Sequence, residues 1–146
     1  MAGQPYRDGF PITPPLTTSV QSSAKTMQSM LAAAQAKVPQ IDIVEARARH
    51  GRAVFVDVRD HHEVAAGHIP GALHVPRGHL EFIADPASSS HPSQMAADTE
   101  LVIYCAAGGR SALAAATLQE MGYANVSNLV GGYSAWVNTG GPTEGG

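Results

Sequence analysis

The chain has a single cysteine, Cys105, in 146 residues, so no disulfide can form within it. A reducing compartment suits such a protein, and the cytoplasm is its expected location. No run of about 18 apolar residues is present, which argues against a membrane-spanning helix. The N-terminus lacks a basic stretch followed by an apolar core, so no signal peptide is expected. Positive charge is not in excess: the formal net charge is −3 and the pI about 6.1. Nucleic acid is therefore not an expected partner. The pair Gly108-Gly109 lacks both the lysine of a phosphate-binding loop and the spacing of a dinucleotide fingerprint. Seven histidines invite a metal hypothesis. His61-His62-Glu63 with His68 does not fit the two-histidine helix motif, because Ala66 stands four residues after His62, and no cysteine partner is near. No metal or other cofactor is expected, and the histidines read as solvated or locally hydrogen-bonded.

What remains is a chain sized for one domain with a normal core. Leu101 to Tyr104 is apolar and β-favouring, and predicts a buried strand. Cys105 follows at once, then Ala106, Ala107, Gly108, Gly109, Arg110 and Ser111. Ser111 to Met121 has helical composition and spacing, with Gly122 as its stop. Cys105 thus sits at the carboxyl end of a strand, in a turn that opens a helix, where ligands bind in parallel sheets. Loop amides without helical partners and a helix start with partial positive charge form an anion cradle. A thiol placed there ionises more easily than a free one. Gly108 and Gly109 let the backbone curl without Cβ clashes. Arg110 adds a fixed charge and a planar donor fork, placed to bind a donor or to brace the loop. A lone cysteine is otherwise an inert core residue. The glycines and arginine between strand and helix point instead to a nucleophilic thiolate facing a small anion.

Elsewhere the pattern alternates. Residues 1–25 are rich in Pro, Ser and Thr and read as an extended arm that Phe10, Ile12 and Leu16 could pin to the domain or to another subunit. Thr26 to Lys37 predicts a helix with Met27, Met30, Leu31 and Ala34 on one face. Asp42-x-x-Glu45 is a capping box for a helix to about His50, and Asp60-x-x-Glu63 caps a shorter one ending at Gly67. Ala53–Val58, Ala72–Val75 and Ala124–Leu129 read as strands, and Tyr133–Val137 as the closing helix. Residues 79–99 look like a surface insertion carrying at most a short helix. Trp136 reads as a packing residue. Strands alternating with helices argue for a parallel sheet covered on both faces. The expected organisation is an N-terminal extension over 1–37, a domain over 38–140 and a tail over 141–146. Oligomeric state is not legible.

Three stretches, in order, resemble the signatures of the rhodanese (thiosulfate sulfurtransferase) family. They are Val56-Asp57-Val58-Arg59 with Glu63 and Gly67-His68-Ile69-Pro70-Gly71-Ala72, the loop Cys105-x-x-x-x-Arg110-Ser111, and Asn128-Leu-Val-Gly131-Gly132-Tyr-Ser-Ala-Trp136. The likeness covers about residues 38–140. It implies a three-layer α/β fold with a central parallel five-stranded sheet. It implies a sulfurtransferase in which Cys105 takes a sulfane sulfur from an anionic donor such as thiosulfate, holds it as a persulfide, and passes it to cyanide or a thiol. Residues 106–111 would bind the donor, and Asp57 and Arg59 would support that end of the domain, or form a structural network with Glu63. Ala106 and Ala107 stand where the family often carries a basic residue, which favours weak thiosulfate use or a protein persulfide as donor. With one cysteine, the persulfide needs an external acceptor. Two other classes compete. The related phosphatase and arsenate reductase loops resemble Cys, five residues, then Arg, whereas here Arg110 follows four. A non-catalytic binding module is the third class.

Overall fold

The computed structural model describes residues 24–146. Residues 1–23 of the expected arm, with Phe10, Ile12 and Leu16, lie outside them. The chain divides into two units, Met1–Met30 and Leu31–Gly146, and the second carries the sheet and the site. Helix α1 (Met27–Lys37) straddles this boundary. Ala34 on it is buried, while Met27 and Met30 are exposed. Five strands, β1 (Gln40–Ile41), β2 (Val54–Asp57), β3 (Leu73–His74), β4 (Leu101–Tyr104) and β5 (Val126–Leu129), pair in parallel in the order β1-β5-β4-β2-β3. Between them come α2 (Ile43–Arg49), α3 (His61–Ala65), a 3₁₀ turn (Arg77–His79), α4 (Leu80–Ala84), α5 (Gly109–Glu120) and α6 (Gly132–Asn138).

Alternation along the central strands sorts the side chains into two cores. Val56, Leu101, Ile103 and Cys105 point to the face covered by α4 and α5, where they meet Leu80, Ala84, Ala115 and Leu118. Phe55, Val102, Tyr104 and Leu129 point to the other face and meet Ala46 of α2 and Trp136 of α6. Helices on both faces of a parallel sheet complete the expected three layers. The 3.6-residue period of α5 places Ser111, Ala112, Ala114, Ala115 and Leu118 inward. Small residues there let α5 lie close on β4 and β5.

Several sequence expectations need correction. The fifth strand, β1, is two residues on the sheet edge, too short to leave a pattern. The Asp42 cap is one-sided: the Asp42 carboxylate accepts from the Glu45 amide at 2.9 Å, but the Glu45 side chain turns to Arg49 at 2.7 Å. Residues 79–99 are not merely a surface insertion, because Leu80, Ala84 and Met95 are fully buried and Tyr123 donates its hydroxyl to the Ala84 carbonyl at 2.6 Å. The presumed tail is tied down. Trp136 Nε1 donates to the Pro142 carbonyl at 2.6 Å, and His68 and Glu144 exchange two backbone hydrogen bonds at 2.8 and 2.9 Å. Trp136 itself is packed against Phe55 and His50.

Candidate active site

Cys105 follows β4 and is 2 % exposed. Three groups face Sγ: the Gly108 amide at 3.1 Å, the Ser111 amide at 3.4 Å and the Ser111 hydroxyl at 3.3 Å. Burial pushes the thiol up, yet the Ser111 hydroxyl and the amides of Ser111, Gly108 and Ala107 outweigh it and hold the thiol below its ordinary value. The α5 N-terminus adds partial positive charge at the same point. Such donors favour the thiolate form of a buried thiol.

Why those amides point inward is decided from α6. The Tyr133 amide donates to the Cys105 carbonyl at 2.8 Å and the Ser134 amide to the Ala106 carbonyl at 3.1 Å. In a trans peptide the carbonyl and the following N–H point opposite ways. With both carbonyls turned out to α6, the amides of Ala106 and Ala107 turn into the loop. Gly132 makes this approach feasible. Its φ is +57°, and a Cβ there would fall 2.7 Å from the Ala106 oxygen and even closer to that of Cys105.

The two loop glycines differ. Gly108 takes φ +110° as the residue before α5, whereas Gly109 is the first helical residue with open space around it. Only Gly108 needs its freedom, and α5 begins two residues earlier than the sequence suggests. Gly109→Ala is expected to leave thermal unfolding unchanged or slightly improved, while Gly108→Ala costs about 1–2 kcal/mol of stability in denaturant titration.

Arg110 spends its fork within the protein. Nη1 and Nη2 donate to the two Glu63 oxygens at 2.9 and 3.0 Å. Glu63 also accepts from the Asp60 amide at 3.0 Å. The Arg110 guanidinium holds the Glu63 carboxyl down at about 2, with burial opposing and the Asp60 amide assisting. This depressed carboxyl stabilises the fold above the ordinary carboxylate value of 4.5, and that contribution is lost as pH falls towards 2. The network expected between Asp57, Arg59 and Glu63 is therefore divided. Glu63 goes to Arg110, and Asp57 and Arg59 pair with each other. They are buried, with Arg59 Nη2 at 2.7 Å from Asp57 and 2.8 Å from the Gly67 carbonyl. The Arg59 guanidinium lies 4.2 Å from the centre of the Tyr133 ring and 5.7 Å from that of Tyr104. Arg59 thus ties the end of β2 to α6.

Four histidines, His50, His68, His74 and His91, each set a ring nitrogen on a backbone carbonyl, and His61 and His62 are exposed. Among the described residues, no three His, Cys, Asp or Glu side chains gather as metal ligands would.

Sequence reasoning gave no role to Asn128, which lies beside Ile103 in the sheet register and is 1 % exposed. Its Oδ1 accepts the Ser111 hydroxyl at 2.6 Å, and its Nδ2 donates to Gln40 Oε1 at 2.9 Å and the Gly108 carbonyl at 3.2 Å. A polar residue in an apolar strand was the available signal, since buried amides require partners.

A family model for the rhodanese-like domain matches residues 40–139. The chain belongs to that family. The human thiosulfate:glutathione sulfurtransferase is 33 % identical over 110 residues, covering 70 % of this chain and 96 % of that protein. The Arabidopsis thaliana mitochondrial protein HIGH ARSENIC CONTENT 1 is 39 % identical over 93 residues, 59 % of this chain but only 53 % of its own length. Among solved structures, a Rhodopseudomonas palustris protein of unknown function, described as a possible tyrosine phosphatase, superposes with a TM-score of 0.76 at 37 % identity, covering 93 % of this chain and all of that one. Within this rhodanese-like domain, the Cys105 loop, the Asp57–Arg59 pair and the Gly131-Gly132 turn converge on the carboxyl end of the sheet. No helix among the described residues is long and apolar enough to cross a membrane.

Proposed function

We propose that this rhodanese-like protein is a sulfurtransferase working through a Cys105 persulfide. The observation that carries the reading is the Cys105 sulfur receiving Gly108 and Ser111 donors inside a loop held open from α6. The Cys105 thiolate attacks the outer sulfur of thiosulfate. A new S–S bond forms, the donor's S–S bond breaks, and sulfite leaves with the electron pair. The negative charge now sits on the outer sulfur of the persulfide, where the Ala106 and Ala107 amides point. Cyanide or a thiolate then attacks that sulfur, takes it away, and returns the Cys105 thiolate. The sulfurtransferase relatives support this chemistry. A relative described as a sulfur carrier makes a protein persulfide a candidate donor or acceptor.

Donor binding rests on amides more than on formal charge. Arg110 is neutralised by Glu63, and the only lysines, Lys25 and Lys37, precede the Cys105 domain in sequence. A dianionic donor is therefore held weakly. The test is mass spectrometry of the reduced protein with and without thiosulfate, followed by cyanide. One added sulfur atom on Cys105, released as thiocyanate, supports the proposal. Unchanged mass under saturating donor refutes it. Efficient cleavage of an aryl phosphate instead would favour phosphatase chemistry, which the loop disfavours: only four residues separate Cys105 from Arg110, and the loop from Cys105 to Ser111 carries no carboxylate or histidine to act as general acid.

Since both terminal nitrogens of Arg110 lie on Glu63, the pair acts as a brace for the loop. Arg110→Ala and Glu63→Gln are each expected to slow transfer about tenfold, and the double variant no further, because the two act as one unit. Arg110→Lys should recover only part of the rate, since a point charge cannot span both oxygens. A rate gain in Glu63→Gln would mean that Arg110 serves the donor directly.

A further inference from the structure

We propose that Asn128 is a positioning residue that sets the ionisation of Cys105 by competing with the sulfur for the Ser111 hydroxyl. The proposal rests on Cys105 as the reacting sulfur, but its test needs no sulfur donor. Ser111 has one hydroxyl hydrogen and two neighbours, Asn128 Oδ1 at 2.6 Å and Cys105 Sγ at 3.3 Å. Which end of the Asn128 amide faces Ser111 is fixed by carbonyls, which can only accept. The Gly108 carbonyl takes one Nδ2 hydrogen at 3.2 Å. The Val38 carbonyl takes the Gln40 Nε2 at 3.0 Å, which leaves Gln40 Oε1 to accept the other Nδ2 hydrogen at 2.9 Å. Oδ1 therefore faces Ser111, can only accept, and at this distance claims the hydroxyl hydrogen.

The consequence differs between the two forms of Cys105. As a thiol, its S–H donates to the free lone pair of Ser111 Oγ, and the chain from sulfur to Asn128 to Gln40 is complete. As a thiolate, it needs the Ser111 hydroxyl turned towards it, and that turn leaves Asn128 Oδ1 buried without a donor. An unpaired buried acceptor costs free energy. Asn128 thus restrains the thiolate, and the restraint disappears once charge leaves Sγ. When the thiolate attacks, negative charge passes to the outer sulfur, Ser111 turns back, and Asn128 regains its hydrogen bond. Asn128 so favours the step out of the thiolate.

Other charged groups at this end of the sheet are Arg110 on α5, Glu63 on α3 with Asp60 before it, and the Asp57–Arg59 pair at the end of β2. His61 on α3 and His74 on β3 are the titratable rings there, 6.3 Å apart. Tyr104 and Tyr133 pack in the core of the opposite face. None of these contacts Asn128, so they are common to every variant below.

The test is a pH titration of the donor-free protein, reading thiolate absorbance and the rate of alkylation by iodoacetamide. Asn128→Ala is expected to lower the Cys105 midpoint by about one pH unit, the worth of one hydrogen bond to a charged sulfur. Asn128→Asp, a stronger acceptor, is expected to raise it by about as much. Ser111→Ala should raise it, and adding Asn128→Ala to Ser111→Ala should change nothing more. Because Asp also brings a charge that raises the midpoint by itself, the Ala variants decide: a merely structural role would raise the midpoint in Asn128→Ala or leave its effect in place without the Ser111 hydroxyl. Shifts in one direction, no shift, or an Asn128 effect that survives in the Ser111→Ala background each overturn the proposal. Should Asn128→Ala fail to fold, Asn128→Leu, close to it in size and without an acceptor, is expected to lower the midpoint likewise. An unchanged or raised midpoint there overturns it as well.

Discussion

Cys105→Ser is expected to fold like the parent and to form no persulfide and no thiocyanate. The side chain differs by one atom, and the serine hydroxyl can take the place of the sulfur against the Gly108 and Ser111 amides. Stability should therefore stay within about 1 kcal/mol of the parent, by circular dichroism and denaturant titration. Activity has no such tolerance. The reaction needs an anion at this position near neutral pH, and a serine hydroxyl ionises far above the reference thiol value of about 8.5. No other thiol exists in the chain to replace it. In the parent, the transfer rate should rise with pH as the thiol ionises and level off below the ordinary thiol value, since the loop donors favour the thiolate. Glu63 adds no inflection near 4.5, because its carboxyl titrates at about 2. Thiocyanate production by the serine variant would remove Cys105 from the mechanism.

Gly132→Ala is expected to damage the loop without touching Cys105. The new Cβ meets two backbone oxygens of the Cys105 loop, those of Cys105 and Ala106, and neither belongs to a side chain that can swing aside. The positive φ adds strain of its own. Relief requires α6 to move away, and the Tyr133 and Ser134 amides then lose the two carbonyls they hold. Freed of that constraint, the Cys105–Ala106 and Ala106–Ala107 peptides can rotate their N–H groups out of the loop. The variant should lose about 2–4 kcal/mol of stability from the combined strain and lost hydrogen bonds. Its thiol should titrate closer to a free cysteine, and alkylation at pH 7 should slow about tenfold as the thiolate fraction falls by one pH unit's worth. A Gly132→Ala protein with parental alkylation kinetics would show that α6 does not orient the loop.

Much of the site was legible because it is local. Cys105, Gly108 and Ser111 lie within one strand–loop–helix unit, so spacing alone brings the amides to the sulfur. What escaped is contributed from a distance. Glu63 was seen as part of a helix cap, and that role holds, but its second partner stands 47 residues away on another helix. No local pattern connects them. Asn128 was visible as part of a motif without a role. Its role appears only when β5 pairs beside β4 and sets it under the first turn of α5. Gly131-Gly132 read as a turn, yet what Gly132 permits is the approach of α6 to the loop after β4. Residues 79–99 hide their core contribution for a related reason: Met95 sits among turns with no periodicity, and only the packing of α4 and α5 shows that it fills the core.

The sequence by itself determined the alternation of strands and helices, the place of the one cysteine at a strand end, and the absence of an intrachain disulfide or a phosphate-loop lysine. These follow from residue type and short spacing, which act over one or two turns of chain. Only the tertiary structure decided that the Arg110 fork closes on Glu63, that the Cys105 and Ala106 carbonyls are drawn out by α6, and that Asn128 holds the Ser111 hydroxyl. Each of these is a hydrogen bond between elements far apart in sequence. Its geometry depends on strand order and helix placement, which the burial of two apolar faces fixes and no local pattern records.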